Sequence, residues 1–385
     1  MPVRVLSIIW KGTKKVREMS FSDDNVYMHH VPRIVAWEIT RRCNLFCRHC
    51  RASSDLGPYP GELSTEKSLQ VIDEIARVSR PILILTGGDP MLREDIYEIA
   101  RYATDKGLRV VMAPCGTLLS ERNVKRIKDA GIRRISLSID GANEKTHDSF
   151  RRVKGSFAEI LDGIKWAKKG GLEFQVNTTI TKLNLHELPE ILNLAVNLGA
   201  VAFHPFLLVP TGRGRELAEF ELSPREYEET LNWFYEQRER FPIQLKPTCA
   251  PHYFRILIQR SHGEGKRFYS GGYGMDALTK GCIGGQSFCF ISYRGEVQIC
   301  GFLNIKCGEL MQESFSHIWE NSPIFKDIRN IDGYRGRCGY CEYRKFCGGC
   351  RARAYEYTGD YLAEEPFCLY EPKREFPSHC PSFTG

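Results

Sequence analysis

The stretch Ile34–Cys50, IVAWEITRRCNLFCRHC, decides how the rest of the chain reads. Its first part, residues 34–39, is an apolar, β-branched run that predicts a strand. The loop directly after it carries Cys43, Cys47 and Cys50 at C-x3-C-x2-C. Three thiolates in so short a loop can hold three irons of a 4Fe-4S cluster. Cysteine-only ligation of such a cluster takes four, so one iron is left open to chemistry. A zinc knuckle is the alternative, because His49 lies inside the loop and four-coordinate zinc wants a fourth nearby ligand. The chain has 15 cysteines in 385 residues, an odd count. In a chain read as cytoplasmic, clustered cysteines bind metal more readily than they build a disulfide framework.

Working outward, a strand-then-helix rhythm continues to about residue 240. Further strand candidates are ILILT (82–86), LRVVMA (108–113), RRISLSI (133–139), LEFQVNTTI (172–180) and VAFHPFLL (201–208). Ser64 starts one intervening helix as N-cap. Ser223, Pro224 and Glu226 open another with a full capping box. Six such units with parallel strands and right-handed crossovers predict an α/β fold, a partial (β/α)6 barrel over residues 33–240. An open doubly wound sheet is the alternative.

Residues 1–32 read as an N-terminal extension, and 241–281 as a connector rich in Gly and aromatics with one short helix at 254–259. Residues 282–370 hold nine of the cysteines and read as a small metal-held domain. Its strand candidates FCFISY (288–293) and EVQICGFL (296–303) flank an Arg294-Gly295 turn. Residues 371–385 are an aperiodic tail. Composition is ordinary for a globular protein at 42% hydrophobic and 26% charged, with no apolar run near the length that spans a bilayer. The amino terminus lacks a small-residue cleavage site, so a cytoplasmic, non-membrane protein is expected. The net charge of +7 is spread without a basic block, which argues against nucleic acid and leaves room for an acidic small molecule.

The cysteine loop resembles the signature of the radical S-adenosylmethionine (radical SAM) superfamily, in spacing and in place after the first strand. The resemblance implies that Cys43, Cys47 and Cys50 hold the catalytic 4Fe-4S cluster. S-adenosylmethionine would chelate the open iron and be cleaved to a 5'-deoxyadenosyl radical that abstracts hydrogen from substrate. Thr86-Gly87-Gly88-Asp89-Pro90 resembles the family's Gly-Gly-Glu-Pro segment, with Asp89 in place of Glu. Ser138-Ile139-Asp140-Gly141 resembles its Ser-x-Asp-Gly, and Asn177 and Thr179 fall where ribose or carboxylate contacts are expected. Gly87, Gly88, Asp89, Ser138, Asp140, Asn177 and Thr179 are therefore the cofactor-binding candidates. Cys115, after the third strand, reads as a buried structural thiol.

The pattern Cys282, Gly295, Cys300, Cys338-x2-Cys341-x5-Cys347-x2-Cys350, Cys368 resembles the SPASM extension of radical enzymes, departing from it by one residue before Cys350. The resemblance implies one or two auxiliary 4Fe-4S clusters. Cys338, Cys341, Cys347 and Cys368 would hold one; Cys282, Cys300 and Cys350, with Cys289 as fourth, would hold another. Read locally, the same C-x2-C pairs fit a zinc ribbon equally well. Cys249, Cys307 and Cys380 are left as free thiols.

Several strings outside these motifs, VAWEITRRCNLFCRHCRASS (35–54), FHPFLLVPTGRGREL (203–217), LKPTCAPHYFRI (245–256) and CGGCRARAYEYTGDYLAEEPFC (347–368), resemble the heme b synthase family. These are iron-coproporphyrin decarboxylases of the siroheme-dependent heme pathway. The resemblance implies oxidative decarboxylation of two propionates of iron-coproporphyrin III to vinyls, with an electron donor such as a ferredoxin or flavodoxin. Siblings that remove acetate groups from didecarboxysiroheme are the alternative. Peptide-modifying SPASM enzymes are less favoured, since the residues ahead of the first strand are too few for a leader-binding domain. An anionic tetrapyrrole calls for cationic forks among aromatic walls. Arg51, Arg213, Arg215, Lys246, His252 and Tyr253 are the substrate-binding candidates, with His204 a weaker one.

Overall fold

Strand β1 (Ile34–Thr40) buries Val35, Trp37 and Ile39 in the main apolar core, while Ala36, Glu38 and Thr40 alternate onto the other face. This period of two repeats in each following strand of the computed structural model, which describes residues 30–265 and 280–373. Strands β2 (Ile82–Gly87), β3 (Arg109–Met112), β4 (Arg134–Ser138), β5 (Glu173–Ile180) and β6 (Ala202–Leu207) pair in parallel and in chain order. Helices α1 (Thr65–Val78), α2 (Ile96–Asp105), α3 (Glu121–Asp129), α4 (Glu144–Arg151), α5 (Ser156–Lys169), α6 (Leu188–Leu198) and α7 (Pro224–Gln237) run between and after them. Their apolar stripes, among them Val71, Ile75, Ile99, Val124, Ile160, Ile191 and Leu231, share one core with the outward strand residues. The opposite strand face carries polar residues, Ser136, Ser138, Gln175, Asn177 and Thr179, and it becomes the barrel interior. This is the partial (β/α)6 barrel that the rhythm predicts.

Both expected caps are present. The Ser64 hydroxyl accepts from the Lys67 amide, and Ser223 and Glu226 cap each other reciprocally at the start of α7. The sheet, however, runs beyond six strands. Strand β7 (Gln244–Leu245) adds in parallel to β6. Strand β8 (Phe288–Ile291), from the cysteine-rich segment, pairs in parallel with β1, and β9 (Glu296–Gln298) and β10 (Gly308–Glu309) follow antiparallel. The order is β10-β9-β8-β1-β2-β3-β4-β5-β6-β7. An isolated hairpin is marginal in water, and docking on the open edge of β1 gives this one a partner.

Helix α8 (His252–Gly263) is longer than the expected 254–259, because HYFRILIQRSH contains neither Gly nor Pro and buries residues around most of its girth. Helices α9 (Phe315–Asn321), α10 (Pro323–Arg329), α11 (Arg337–Tyr340) and α12 (Arg351–Thr358) complete the described chain. Most of the N-terminal extension, part of the connector and most of the tail lie outside the described residues. Among the described residues no helix is long and apolar enough to cross a membrane.

One buried side chain fastens α12 to the barrel. Arg353, fully buried, donates to the carbonyls of Leu208 (2.9 Å), Leu207 (3.3 Å) and Cys249 (3.3 Å) and lies 3.4 Å from the Glu365 carboxylate. Removing one partner of a buried ion pair leaves an uncompensated charge. Arg353→Ala should therefore lower stability by about 3–5 kcal/mol in thermal or denaturant unfolding. Arg353→Lys should restore only part of this, since an ammonium cannot reproduce the planar fork.

Candidate active site and thiol groups

The cysteine loop leaves β1 and is gripped from three sides. The Phe46 and Arg48 amides donate to the carbonyls of Arg151 (3.3 Å) and Phe150 (2.8 Å) at the end of α4, and the Cys43 amide to Asp55 (2.7 Å). Arg213 donates to the carbonyls of Cys47 and Ser54, each at 2.8 Å, with its guanidinium 3.7 Å above the Phe46 ring. The glycines of two motifs permit this approach. A Cβ on Gly88 would stand 2.2 Å from the Arg42 carbonyl oxygen, and one on Gly212 would stand 2.1 Å from that of Arg51. Gly212 also has φ +56°, in the left-handed region that favours glycine.

Each of the three sulfurs meets an N–H donor. Leu45 N–H faces Cys43 Sγ at 3.4 Å, Ser54 N–H faces Cys50 Sγ at 3.3 Å, and Arg151 Nη1 lies 3.4 Å from Cys47 Sγ. Such donors stabilise anionic sulfur, as iron ligation requires. Burial pushes the Cys47 thiol up, and Arg151 opposes that shift. Cys115 Sγ lies 3.6 Å from Cys43 Sγ and is the main cause that draws the Cys43 thiol down.

Above the loop opens a cleft of about 1040 Å³ including its solvent-filled mouth, lined by Cys43, Cys47 and Cys50 together with the carboxyl ends of β2 to β6. Gly87, Gly88, Ser138, Asp140, Asn177 and Thr179, all expected to bind cofactor, border it. Asp89 does not. Its side chain is fully buried and accepts from the Met91 (2.8 Å) and Cys115 (3.1 Å) amides, so it fixes the turns after β2 and β3. Asp140 accepts from the Thr179 amide at 2.8 Å and faces Arg151 at 2.5 Å and His49 at 3.5 Å. Burial works against its charge, yet Arg151, His49 and His147 hold its carboxyl below the ordinary range. His49 itself is desolvated to a pKa of about 4 and stays neutral near pH 7.

Of the six expected substrate contacts, only Arg51 lines this cavity. It is 2.7 Å from the buried Glu38 carboxylate and 4.4 Å above the Phe290 ring. Arg213 is spent on the cysteine loop, and Arg215 is an exposed partner of Glu356 at 3.0 Å. Lys246 follows β7, its amide bonded to Phe203. His252 and Tyr253 are buried in the first turn of α8, where His252 lies edge-on to Tyr227 and 3.8 Å from Glu365. His204, on β6, meets Gln175 at 3.2 Å. Arg151, Cys115, Phe206 and Phe302 line the cavity without having been expected there. Position at the carboxyl end of a strand could have flagged Cys115 and Phe206. Arg151, at the end of an amphipathic helix, reads as a surface charge.

Cys338, Cys341, Cys347 and Cys368 line a second pocket of about 430 Å³, together with Arg255, Arg337 and Arg344. Glu365 N–H and Arg351 Nη2 approach Cys338 Sγ at 3.4 and 3.6 Å, and Gly349 N–H approaches Cys347 Sγ at 3.5 Å. Cys282, Cys300 and Cys350 stand close enough that Cys282 acts electrostatically on both others. Cys289 is not with them. In register with Val35, it points into the main core, fully buried, toward Cys307. Among the described residues no three His, Cys, Asp or Glu side chains are arranged around a single metal ion, as a zinc knuckle or ribbon would need.

Residues 37–195 match the Radical SAM superfamily, and residues 282–351 match SPASM, an iron-sulfur cluster-binding domain. The structure is similar to that of Streptococcus suis SuiB bound to S-adenosylmethionine. The TM-score is 0.66 and the identity 13%, over 89% of this chain and 78% of that one. Fold, cysteine loop and thiol groups together are those of a radical SAM enzyme carrying S-adenosylmethionine, a 4Fe-4S cluster and auxiliary clusters. The chain is 51% identical to the AdoMet-dependent heme synthase of Nitratidesulfovibrio vulgaris, over 90% of this chain and 94% of that protein. It is 29% identical to the Fe-coproporphyrin III synthase of Methanosarcina barkeri, over 89% and 88%. The chain belongs to the AdoMet-dependent heme synthase family.

The glycine contacts can be tested directly. Gly212→Ala adds a Cβ against the Arg51 carbonyl and about 1–2 kcal/mol of backbone strain. It should lower the iron held by the cysteine loop and cut S-adenosylmethionine cleavage at least about tenfold. The electron paramagnetic resonance (EPR) signals of the auxiliary clusters should be unchanged.

Proposed function

We propose that the chain converts two propionates of iron-coproporphyrin III to vinyls, giving heme b. The observation that carries the reading is the identity of 51% with a heme synthase against 29% with an Fe-coproporphyrin III synthase, each over about nine-tenths of this chain. The cavity supports it: beside the three thiols it offers two cations, Arg51 and Arg151, the second already paired with Asp140, together with the aromatic residues Phe206 and Phe302. That combination suits an apolar macrocycle with carboxylate arms.

In this reading Cys43, Cys47 and Cys50 hold three irons. Gly87, Gly88, Ser138, Asp140, Asn177 and Thr179 cradle the cosubstrate. When bound, the cluster and S-adenosylmethionine supply the radical that removes one hydrogen atom from substrate. Arg51, aimed by Glu38, engages a propionate carboxylate and holds the carbon next to the ring toward the thiol loop. Each propionate then loses one hydrogen atom, carbon dioxide and one electron. The hydrogen would leave in 5'-deoxyadenosine, and Cys338, Cys341, Cys347 and Cys368 would hold an auxiliary cluster able to accept the electron. Burial keeps His49 neutral beside Asp140, so no imidazolium competes for the carboxylates. A ferredoxin or flavodoxin supplies the electron that starts each turnover.

Anaerobic turnover of the reconstituted enzyme with iron-coproporphyrin III, reductant and S-adenosylmethionine should yield products lacking one or two formic acid equivalents, with matching 5'-deoxyadenosine. Deoxyadenosine without porphyrin change, together with acetate loss from didecarboxysiroheme, would transfer the chain to the sibling reaction. Arg51→Gln should raise KM for the porphyrin about tenfold or more, the cost of one charge-assisted contact. It should leave KM for S-adenosylmethionine within about twofold.

A further inference from the structure

Cys115 belongs to neither group of clustered cysteines; it follows β3, far along the chain from Cys50. The fold nevertheless brings its sulfur 3.6 Å from Cys43 Sγ, and it packs with Cys43, Leu45 and Cys47 on the wall of the cleft. Contacts on both sides place it there. The Cys115 amide donates to Asp89 Oδ2 at 3.1 Å, while Asp89 Oδ1 accepts from the Met91 amide at 2.8 Å. A buried carboxylate thus fastens the turn after β3 to the turn after β2, and that second turn is held to the cysteine loop by the Asp89 amide on the Arg42 carbonyl at 2.7 Å. On the other side the chain bends away at Gly116, with φ +94°, where a Cβ would stand 2.8 Å from Ile160 Cγ1.

Which sulfur gives the proton follows from the chemistry of the pair. A thiol carries one hydrogen, and a cysteine bound to iron carries none, because the thiolate is the ligand. Cys43 belongs to the loop that holds the catalytic cluster, so across the 3.6 Å contact Cys115 is the donor and Cys43 Sγ the acceptor. Other acceptors compete poorly for the same hydrogen. The Gly88 carbonyl is farther off at 3.8 Å, and both Asp89 oxygens already take amides. Cys43 therefore receives two donors, Leu45 N–H at 3.4 Å and the Cys115 thiol. A hydrogen bond to a ligating sulfur stabilises the electron-richer, reduced cluster and so raises its potential.

We propose that Cys115 is a positioning residue for the catalytic cluster and acts through Cys43: its S–H donates to the Cys43 thiolate and raises the potential at which that cluster takes up its electron. Cys115 is not itself an iron ligand. The assignment concerns the catalytic cluster alone and holds whatever the substrate.

The test uses anaerobically reconstituted full-length enzyme carrying Cys115→Ala, Cys115→Val or Cys115→Ser, titrated with reductant and followed by EPR. The signal of the catalytic cluster is recognised by its change when S-adenosylmethionine is added. Alanine and valine remove the donor, valine with little loss of volume, and serine keeps an O–H. All three variants should hold the wild-type amount of iron. At a fixed potential near the wild-type midpoint, the ratio of reduced to oxidised catalytic cluster should fall about threefold to tenfold in Cys115→Ala and Cys115→Val, a lowering of about 30–60 mV for a one-electron couple. Cys115→Ser should stay closer to the wild type, and the signals of the auxiliary clusters should keep their potentials. Where one of the two donor-free variants fails to fold, the other supplies the measurement. The proposal is overturned if a folded donor-free variant keeps the wild-type potential or raises it, if Cys115→Ser falls as far as Cys115→Ala and Cys115→Val, or if both donor-free variants lose the iron of the catalytic cluster, which would make Cys115 a ligand or a packing element instead of a donor.

Discussion

The contact on which the site depends is the meeting of three backbones just beyond the end of β1. The cysteine loop, the turn after β2 and the turn after β6 approach so closely that no Cβ fits at Gly88 or Gly212. The Gly88 and Asp89 amides donate to the carbonyls of Thr40 (2.9 Å) and Arg42 (2.7 Å), and the Arg213 amide donates to that of Cys50 (3.0 Å). Clamped in this way, the loop turns three sulfurs toward one cavity. The clamp matters because fixing the backbone of an otherwise free loop costs about 1–2 kcal/mol per residue.

Around this clamp the barrel end buries more charge than stability alone would favour. Glu38, Asp140, Arg151, Arg213 and Arg353 are each at least nine-tenths buried, and each meets an opposite charge or several carbonyls. Buried pairs of this kind roughly break even against apolar packing. Their return is geometric. Arg151 joins Cys47, Ser138 and Asp140, and so couples the cysteine loop to the end of β4. Arg213 joins the turn after β6 to the same loop. Apolar residues could fill the volume but could not fix these angles, because dispersion has no direction.

What the sequence discloses follows from which forces are local. Period-two alternation and capping chemistry are written in neighbouring residues, so the six strands and the starts of α1 and α7 are readable. The cysteine loop is readable because its spacing is itself local. Arg213 is misleading for the opposite reason. PTGRGR looks like a cationic loop waiting for a ligand, and only the approach of residues 47 and 54, about 160 positions earlier, shows what the guanidinium holds. His252 and Tyr253 mislead similarly, since the short apolar run after them is the buried face of α8. Cys289 looks like a ligand by position in a motif, but its register with Val35 turns it inward. A one-residue difference along a strand reverses the face, and spacing to other cysteines carries no trace of it.

The pairing of β8 with β1 gives the extended sheet a functional sense. It lays the cysteine-rich hairpin against the strand that leads into the cysteine loop, so residues from both regions share one cavity wall. Arg51, one residue after Cys50, stacks on Phe290 of β8 and donates to the carbonyl of Gly301, the neighbour of Cys300. Phe302, two residues beyond Cys300, lines the same cavity as Cys43, Cys47 and Cys50. The cavity thus has the cysteine loop on one side and the segment that follows Cys300 on the other. Had the hairpin docked on the β7 edge instead, that segment would lie across the barrel from Cys50. Phe302 would then be absent from the cavity wall, so the parallel register of four residue pairs between β1 and β8 is what brings residues 43–50 and 300–302 together.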